Sequence, residues 1–506
     1  MSVVASRTKL GLEIAAVALA AGLAGDTLLR VIPWGLNVTI CTVILVGAGL
    51  WLVRRNQIQP GPDAGWLAIT ALLLGAAFLR RDSEELAAYN VLALILTLAL
   101  AAASLQRERV STWYPFDYVR GVVTASFASV VGSLVLIFSD IQWRALPETG
   151  RLRHLRGALL GALIAAPLLV IFAGLFASAD PVFNNILSNV FAFNIESVIQ
   201  HTFLFMFWAA LVAGYLRWGL LGSPLGLQFA TPKPLATIVP IGTALGLLSF
   251  LFLMFVVVQL RYFFGGSAVI EETHGLTYAA YARQGFFQLV AASALVLPLL
   301  LGADHLVHGG TASHVRVFRQ LAGLLLALLA VIMASALQRM RLYVAAYGLT
   351  SDRLYATALM ILLIGVFAWF CWTMLRGVRH RFAFGALMQA FAVLAGLHVL
   401  NPDAFILKTN LNRPVEVRPF DARYASTLGA DAVPVLVEAL PSLGLEDRCL
   451  VVKRLLNRWV DGEQANADWR GWNWSRARAR SLLSSRADEL RASCKDVVIK
   501  ENSRGH

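Results

Sequence analysis

The most constraining feature of this sequence is a series of apolar runs, each of about 17–25 residues and closed by basic or turn-forming residues. A run of that length, folded as an α-helix, crosses the hydrocarbon core of a bilayer. A helix is required there because lipid offers no partner to free backbone N–H and C=O groups. The runs predict an all-α polytopic membrane protein with about twelve transmembrane helices: Leu10–Leu29, Gly35–Val53, Ala64–Leu79, Leu86–Leu105, Val119–Phe138, Gly157–Ala177, Val198–Leu221, Leu235–Leu260, Gly285–Leu301, Val317–Leu337, Leu354–Leu375 and Phe382–Leu400.

The composition supports this class and excludes a soluble globular protein. Hydrophobic residues make up 58% of the chain and charged residues only 14%, whereas about a quarter of a soluble domain is charged. The net charge of +13 lies mostly in the first 400 residues, which hold 26 Lys and Arg against 16 Asp and Glu. Basic residues in short connections contact lipid headgroups, whereas a nucleic-acid surface gathers them on one soluble face. We therefore expect membrane lipids as partners and no nucleic acid.

The periodicity changes after Asn401, where shorter amphipathic patterns replace the long apolar runs. This divides the chain into a transmembrane helical domain over residues 1–400, a small soluble α-helical domain over 401–495 and a disordered tail over 496–506. We expect the second domain to contact a protein partner. Four tryptophans fall within sixteen residues of it, and we expect them to supply its core: Trp459, Trp469, Trp472 and Trp474.

The cysteines are few and show no metal-binding spacing. Cys41 and Cys371 lie in apolar runs, and Cys449 and Cys494 lie in the C-terminal domain. None forms a CxxC pair, so the sequence predicts no zinc site. If the C-terminal domain is extracytoplasmic, Cys449 and Cys494 are predicted to form a disulfide, provided that the fold brings them together.

Basic residues in the connections bear on orientation, because they are in excess on the cytoplasmic side. The connection before Gly157 carries four arginines, and residues 178–197 carry no Lys or Arg. With twelve spans, this places the C-terminal domain outside the cytoplasm at a bacterial inner membrane, with Arg7 and Lys9 on that same side. The basic residues on the two sides then nearly balance.

Ionisable side chains in the apolar runs are few, and none lies at mid-depth. Proton-coupled pumps and ion channels need such groups, so the sequence disfavours both. Asp26, near one end of the first run, has two interpretations: a catalytic carboxylate of the kind that lipid-linked glycosyl transferases use, or an ion-pair partner of Arg30 one helical turn on. The ion pair is favoured because no second acid lies nearby.

Histidines cluster in the segment ADHLVHGGTASH, which contains Asp304, His305, His308 and His314. The spacing of His305 and His308 suits a metal, but the glycines that follow favour a solvated loop. The sequence has no GxSxG, HExxH or Walker A motif and no glycine-rich dinucleotide pattern after a strand. It therefore predicts no metal, no cofactor and no catalytic residue.

Two tyrosine-rich segments at the aqueous edges of the runs form the candidate ligand or partner site. The first precedes the ninth run, and the second joins the tenth run to the eleventh. One interpretation is an interfacial belt, since Tyr and Arg are common at the headgroup level. The other is a polar cleft where the two edges meet. The candidate residues are Glu271, Glu272, His274, Tyr278, Tyr281, Arg283, Arg339, Tyr343, Tyr347 and Arg353.

Seven segments in chain order carry a family resemblance: WGLN, FASADPVF, LTYAAYARQGFFQL, YGLTSDRLY, NPDAFILKTNLNR, DARYASTLGADAVPVL and DWRGWNWSRARA. They resemble a family of bacterial polytopic membrane proteins known only as domain of unknown function 4173, which is related to domain of unknown function 4153. The matching segments run over nearly the whole chain. Because the family has no assigned activity and no assigned catalytic residues, the resemblance implies the architecture alone.

Three hypotheses on function follow. The first is a non-enzymatic, multi-pass inner-membrane protein whose C-terminal domain contacts a partner or senses the envelope. The second is a transporter for a neutral or lipidic substrate, with a site formed by broken helices. The third is a membrane-embedded enzyme acting on lipid-linked substrates. The first is favoured because the sequence shows no catalytic constellation and no charged pathway. Candidate groups for the enzyme are Asp26, Glu271, Glu272, His274 and Arg283.

Overall fold

All regular structure in the described parts of the chain is helical, as the sequence predicts. The protein is represented by a computed structural model, which describes residues 3–143, 150–185, 195–222, 238–264, 286–307, 311–413, 419–462 and 468–494. The long helices described before Asn401 are α1 Val3–Leu29, α2 Leu36–Arg55, α3 Ala64–Ala77, α4 Glu84–Leu105, α5 Pro115–Val135, α6 Gly150–Ala179, α7 Ile195–Leu221, α8 Val239–Phe264, α9 Phe286–Val307, α10 Ala312–Tyr347, α11 Ser351–Thr373 and α12 Phe382–Leu400.

Ten helical segments in the described ranges are long and apolar enough to cross a membrane. One of them is α5 together with the π-helical turn that continues it, so that the segment runs from Pro115 to Asp140. Two apolar stretches are shorter than a full span, namely α3 and Ile164–Ala179, which is the later part of the 30-residue helix α6. The multi-pass class is therefore confirmed, whereas the count of twelve spans is not.

Helix ends gather at two opposite ends of the bundle. At the first, which we call the N-terminal face, the start of α1 meets the ends of α2, α4 and α7. There Arg55 pairs with Glu13 at 2.8 Å, and Gln106 donates to the carbonyl oxygen of Trp218 at 2.9 Å. The second, the C-terminal face, contains the end of α1, the α3–α4 connection and the end of α12.

Helix α5 has both of its ends at the N-terminal face. Near its start, the ring of Phe116 stacks on His305 at the end of α9, with centroids 6.0 Å apart. At its far end, Asp140 accepts hydrogen bonds from Arg7 at 2.9 Å and from Arg217 at 2.5 Å. Because α1 starts and α7 ends at the N-terminal face, both ends of the α5 segment lie at that face.

The geometry of α5 changes the sidedness that the sequence suggested. Arg7 and Lys9 lie at the N-terminal face, whereas Asn401, which starts the C-terminal helices, lies at the opposite face. Counting the α5 run as a crossing had placed all three on one side. Hydropathy does not decide whether this run crosses, because it measures the length and composition of a run and not the direction in which it lies.

Glycines let α7 approach its neighbours closely. A Cβ atom on Gly25 of α1 would lie 2.5 Å from the indole ring of Trp208. A Cβ atom on Gly214 would overlap the backbone oxygen of Ser129 in α5. Small residues at such contacts allow helix backbones to pack in the absence of a hydrophobic driving force within lipid. This packing places the start of α7 beside the end of α1.

The helices after Asn401 form one compact group, which we call the C-terminal unit. It contains α13 Pro402–Leu411, α14 Ala422–Ala425, α15 Val433–Ala439, α16 Leu445–Leu456, α17 Trp474–Ser485 and α18 Ala487–Ala492. Asp421 and Asn473 cap α14 and α17 by accepting backbone N–H groups. Its buried apolar core also includes Leu349 of the α10–α11 connection and Leu354 of α11, so the unit shares its core with the membrane helices.

The tryptophans of the C-terminal unit do not all supply its core, contrary to the sequence analysis. Trp459 is 1% exposed, but Trp469 is 62% exposed and Trp474 is 59% exposed. These two and Trp472 belong to the segment that contacts the α1–α2 and α3–α4 connections. Exposed tryptophans at a membrane-domain edge are suited to the headgroup region of a bilayer, where an amphipathic ring is stable.

Candidate functional site

The C-terminal unit is attached to the membrane helices through a buried polar junction centred on Asp431. One oxygen of its carboxylate pairs with Arg81 at 2.9 Å and lies 2.7 Å from the hydroxyl of Ser475. The other oxygen accepts the backbone N–H of Asp82 at 2.7 Å. Asp431 is 8% exposed, so this charge is stabilised by partners from both parts of the chain rather than by water.

A second carboxylate of the junction, Asp82, is contributed by the α3–α4 connection. It accepts the backbone N–H of Ala430 at 3.1 Å and lies 3.6 Å from the guanidinium of Arg476. Arg476 is 2% exposed and also donates to the carbonyl oxygen of Trp34 at 2.6 Å. The first helical turn of α17 therefore contacts the α1–α2 and α3–α4 connections at once.

Backbone groups extend the junction beyond the charged side chains. Asn473 donates to the carbonyl oxygens of Phe78 at 2.7 Å and Arg81 at 2.9 Å. The backbone N–H of Trp474 donates to the carbonyl oxygen of Leu79 at 2.7 Å. The carbonyl groups at the C-terminal end of α3 thereby gain partners that a helix end otherwise lacks.

A third carboxylate of the junction, Asp403, is contributed by α13. Its side chain is 4% exposed and accepts the backbone N–H of Gly429 at 3.0 Å. Burial, together with the nearby charges of Asp431, Glu85 and Asp82, raises the pKa of Asp403 to about 7. Burial also raises the pKa of Asp82. The junction thus contains carboxyl groups whose charge is costly in the docked arrangement.

The described half of the tyrosine-rich candidate site lies where the C-terminal unit meets α10 and α11. The guanidinium of Arg353 lies 3.9 Å from the ring centroid of Tyr343 and donates to the carbonyl oxygen of Gly348. The rings of Tyr343 and Tyr347 are 5.2 Å apart. Asn410 of α13 exchanges two hydrogen bonds with the backbone of Leu349, and Arg339 is part of the same end of α10. Binding of a ligand here stays a prediction.

The other half of that candidate site falls outside the described residues: Glu271, Glu272, His274, Tyr278, Tyr281 and Arg283. The polar cleft between the two tyrosine-rich edges therefore stays a prediction.

Two other sequence interpretations are changed by the structure. Asp26 pairs with His201 of α7 at 2.6 Å, and not with Arg30 as the helical spacing suggested. Asp304 pairs with Arg379 at 2.8 Å, and His305 stacks on Phe116, while His308 lies outside the described residues. Among the residues that the structure describes, no group of three His, Cys, Asp or Glu side chains is arranged to hold a metal ion.

The structure joins Cys449 and Cys494 in a disulfide bond, with Cα atoms 5.4 Å apart. The bridge links α16 to the residues that follow α18, across 45 positions of sequence. It closes the C-terminal unit on the side where the described chain ends. The cysteines of the apolar runs, Cys41 and Cys371, are free.

Sequence reasoning missed the junction, although a signal was present. Asp431 and Asn473 lie in DARYASTLGADAVPVL and DWRGWNWSRARA, two of the segments that carry the family resemblance. The pairing of these segments with Arg81 and Asp82, about 350–400 positions away, has no local signature. A cavity of about 720 Å³ at the N-terminal face was also not anticipated; its lining includes Trp369, Arg381, Phe384, Met388 and Gln389.

The comparisons with known proteins identify a family and do not assign an activity. A family model described as "Domain of unknown function (DUF4153)" matches residues 68–439, from α3 into the C-terminal unit. The match includes Arg81, Asp82, Asp403 and Asp431 of the junction. The chain matches none of the curated proteins and none of the solved structures with which it was compared. Because the family model covers well over half of its 506 residues, the chain belongs to the DUF4153 family.

Proposed function

We propose that this protein is a non-enzymatic bacterial inner-membrane protein that holds a soluble helical module on the extracytoplasmic face and couples the state of that module to its membrane helices. The observation that carries the proposal is the buried junction of Asp431, Arg81, Asp82 and Arg476. A module that served only as a tethered domain would not need buried charges from three separate segments, namely the α3–α4 connection, the residues before α15 and the first turn of α17. Such charges are stable only while the two parts are correctly docked.

The distribution of basic residues supports this orientation. Of the described Lys and Arg side chains in residues 1–400, thirteen lie toward the N-terminal face and six toward the C-terminal face. Cytoplasmic connections carry the excess of Lys and Arg, so the N-terminal face is cytoplasmic and the C-terminal unit is outside. In this proposal α5 does not cross, and the balance that the sequence suggested disappears. An odd number of crossings follows, and the other long helices in the described ranges would supply eleven of them.

The disulfide supports the same orientation through independent chemistry. A bond between Cys449 and Cys494 persists in an oxidising compartment such as the bacterial periplasm and is reduced in the cytoplasm. It restrains the C-terminal unit, which is the part of the described chain that would sense the envelope or contact a partner. A groove of about 380 Å³ on this unit, lined by residues that include Val460, Ala477, Ser481 and Ser484, offers a place for such contact.

Sidedness is tested first, with alkaline phosphatase fused after the C-terminus and, separately, a green fluorescent protein fused before the N-terminus. The proposal expects an active phosphatase, which needs export, and a fluorescent N-terminal fusion, which needs the cytoplasm. Thiol labelling under reducing and oxidising conditions would then report on Cys449 and Cys494. An inactive phosphatase with stable expression would place the unit inside and contradict the proposal.

The coupling role is tested by complementation of a deletion strain. A chain ending at Asn401 and the junction variant Asp431→Asn should both fail to restore the wild-type phenotype while remaining in the membrane. The exposed variant Glu489→Gln is the control and should complement. A photo-crosslinker at Ser484 should capture a protein partner of the C-terminal unit. Full complementation by the truncated chain would show that the unit is dispensable and the proposal wrong.

Transport of a neutral or lipidic substrate is a second candidate function, favoured by one observation. The 720 Å³ cavity at the N-terminal face combines the aromatic rings of Trp369 and Phe384 with polar groups that include Gln389 and Arg381. Apolar walls with a few polar groups are typical of a small-molecule site. Flux into proteoliposomes that depends on Gln389 would support this function. No flux over a broad panel of lipids and neutral solutes would remove it.

A further inference from the structure

A histidine and an aspartate from distant segments meet at the C-terminal face. Asp26 near the end of α1 and His201 near the start of α7 approach to 2.6 Å, between Oδ2 and Nδ1. The carboxylate is 5% exposed, whereas 46% of the imidazole side-chain surface is exposed. The pair is held by the close α1–α7 packing at Gly25 and Trp208. A buried acid therefore orients an accessible base at the membrane edge.

The hydrogen bonds assign roles to the two ring nitrogens. Because Nδ1 faces a carboxylate, it carries the proton and donates to Asp26. The guanidinium of Arg30 contacts Nε2 and also lies 3.0 Å from Nδ1; because Nδ1 donates to Asp26, Nε2 is the nitrogen that can accept from Arg30. Arg30 also approaches the amide oxygen of Gln200 at 3.5 Å. Among the residues that the structure describes, no carboxylate lies within ion-pair distance of Arg30, so its charge is not neutralised.

Unused bonding capacity remains at the same place. The second oxygen of Asp26, Oδ1, is buried and has no hydrogen-bond partner among the described residues. A neutral imidazole nitrogen is a weak partner for a guanidinium, which forms stronger, bidentate bonds with phosphate oxygens. A phosphate group near Arg30 would displace that contact and free Nε2, which can then carry a proton and donate to the same phosphate. Asp26 would stabilise the imidazolium so formed.

We propose that Asp26, His201 and Arg30 form a binding site for a phosphate group carried by a lipid, with Arg30 and His201 as ligands and Asp26 as the positioning residue. The level of the site favours a lipid over a free anion. Exposed apolar side chains, Ile32 at 79% and Trp34 at 41%, follow Arg30 directly and are suited to the bilayer surface. The site does not depend on the coupling role proposed for the C-terminal unit.

The C-terminal unit borders this site without covering His201. Arg470 donates to the carbonyl oxygen of Thr27 at 2.5 Å, one residue from Asp26. Its own carboxylate partner is Asp468, at 2.6 Å, so Arg470 is neutralised where Arg30 is not. This difference makes Arg30 the cation that an incoming phosphate would meet, and it makes Arg470 a basic residue of the same neighbourhood for comparison.

The test measures equilibrium binding to the purified full-length chain in detergent. The probes are inorganic phosphate, short-chain phosphatidic acid and short-chain phosphatidylcholine, with bound ligand counted by native mass spectrometry. We expect phosphatidic acid to bind, and Arg30→Gln and His201→Gln each to raise its Kd about tenfold or more. Arg54→Gln, a basic residue on the opposite face with no histidine partner, is the control and should leave the Kd unchanged.

The outcomes distinguish the source of the phosphate and the role of each residue. Binding of inorganic phosphate but not of phosphatidic acid, lost in Arg30→Gln, would overturn the lipid assignment and leave a free-anion site. Equal Kd values for Arg30→Gln and the wild type would overturn the site itself. Asp26→Asn should weaken binding while a His201 tautomer change appears in the imidazole ¹⁵N spectrum. An unchanged unfolding temperature would show that each variant remains folded.

Discussion

Asp140 shows how a single carboxylate can hold three helices together. It accepts hydrogen bonds from Arg7 of α1 and from Arg217 of α7. Asp140 is itself the last residue of the π-helical turn that continues α5. Arg217 is 1% exposed and Asp140 is 4% exposed. Buried charges are stable only in pairs, because each alone would keep its desolvation cost without the compensating attraction.

Replacing Asp140 should therefore be far more damaging than replacing a surface acid. Asp140→Asn is expected to lower the free energy of unfolding by about 3–5 kcal/mol, because Arg217 stays buried without a counter-charge. Asp117→Asn is the matched control, since Asp117 pairs with the half-exposed Arg120 at 3.7 Å, and it should cost less than about 1 kcal/mol. Unfolding in detergent measures both. Equal losses would show that burial at Asp140 is not what matters.

Asp403 makes docking of the C-terminal unit sensitive to pH. Its pKa is raised from 3.8 to about 7 by burial and by the charges of Asp431, Glu85 and Asp82. When the C-terminal unit is undocked, the carboxyl of Asp403 has its ordinary pKa. Between about pH 4 and pH 7, therefore, only the undocked form loses the proton. Docking is therefore strongest at low pH, weakens as the pH rises through this window and is constant above it. The free energy of docking changes by roughly 4 kcal/mol at most between low and high pH.

Asp403→Asn tests this pH dependence. Hydrogen exchange at α17, followed from pH 5 to pH 8, should accelerate less with pH in the variant than in the wild type, after correction for intrinsic exchange. Part of the slope should remain, because the pKa of Asp82 is raised in the same direction. The exposed variant Asp461→Asn serves as the control. A variant slope identical to that of the wild type would contradict the assignment to Asp403.

At the level of elements, short connections decide how the C-terminal unit docks. The α3–α4 connection presents its backbone carbonyls, Arg81 and Asp82 to α17 and to residues 429–431. The approach is close at Gly429, where a Cβ atom would lie 2.5 Å from Asp403 Oδ2 and would overlap the carbonyl oxygen of Asp82. The backbone of Gly429 is ordinary, so the need for glycine there comes from space and not from conformation.

Gly429→Ala should therefore loosen the junction without disturbing the helices on either side. We expect faster proteolysis after Leu411 and faster hydrogen exchange at Trp474, with a loss of docking free energy of about 1–3 kcal/mol, the usual cost of overpacking. Gly444→Ala is the matched control, because its Cβ atom would meet nothing within 4 Å. If both variants behave alike, close approach at Gly429 does not hold the unit in place.

At the level of the whole molecule, the path of α5 determines which terminus lies on which side. Both of its ends contact the N-terminal face, at His305 on one side and at Arg7 and Arg217 on the other. The C-terminal unit consequently lies opposite the start of α1. The basic side chains then become asymmetric between the faces, as expected for a protein inserted in one orientation.

Cysteine accessibility tests this path directly. In a chain without its native free cysteines, Ser111→Cys and Gln142→Cys flank the α5 segment, and Gln57→Cys marks the N-terminal face. A membrane-impermeant maleimide should label all three from the cytoplasmic side and none from outside. Asn412→Cys in the C-terminal unit should show the opposite pattern. Labelling of positions 111 and 142 from opposite sides would mean that α5 crosses the membrane.

The helical, multi-pass class and the change of architecture near Asn401 could be predicted from the sequence alone, because both rest on local properties. The length of an apolar run and its periodicity are properties of neighbouring residues, and lipid forces such runs into helices. Only the tertiary structure decided that Asp26 meets His201, that Asp431 meets Arg81 and that α5 returns to its own face. Those contacts join residues 77–350 positions apart. They depend on crossing geometry and close packing between helices, for which no local pattern exists.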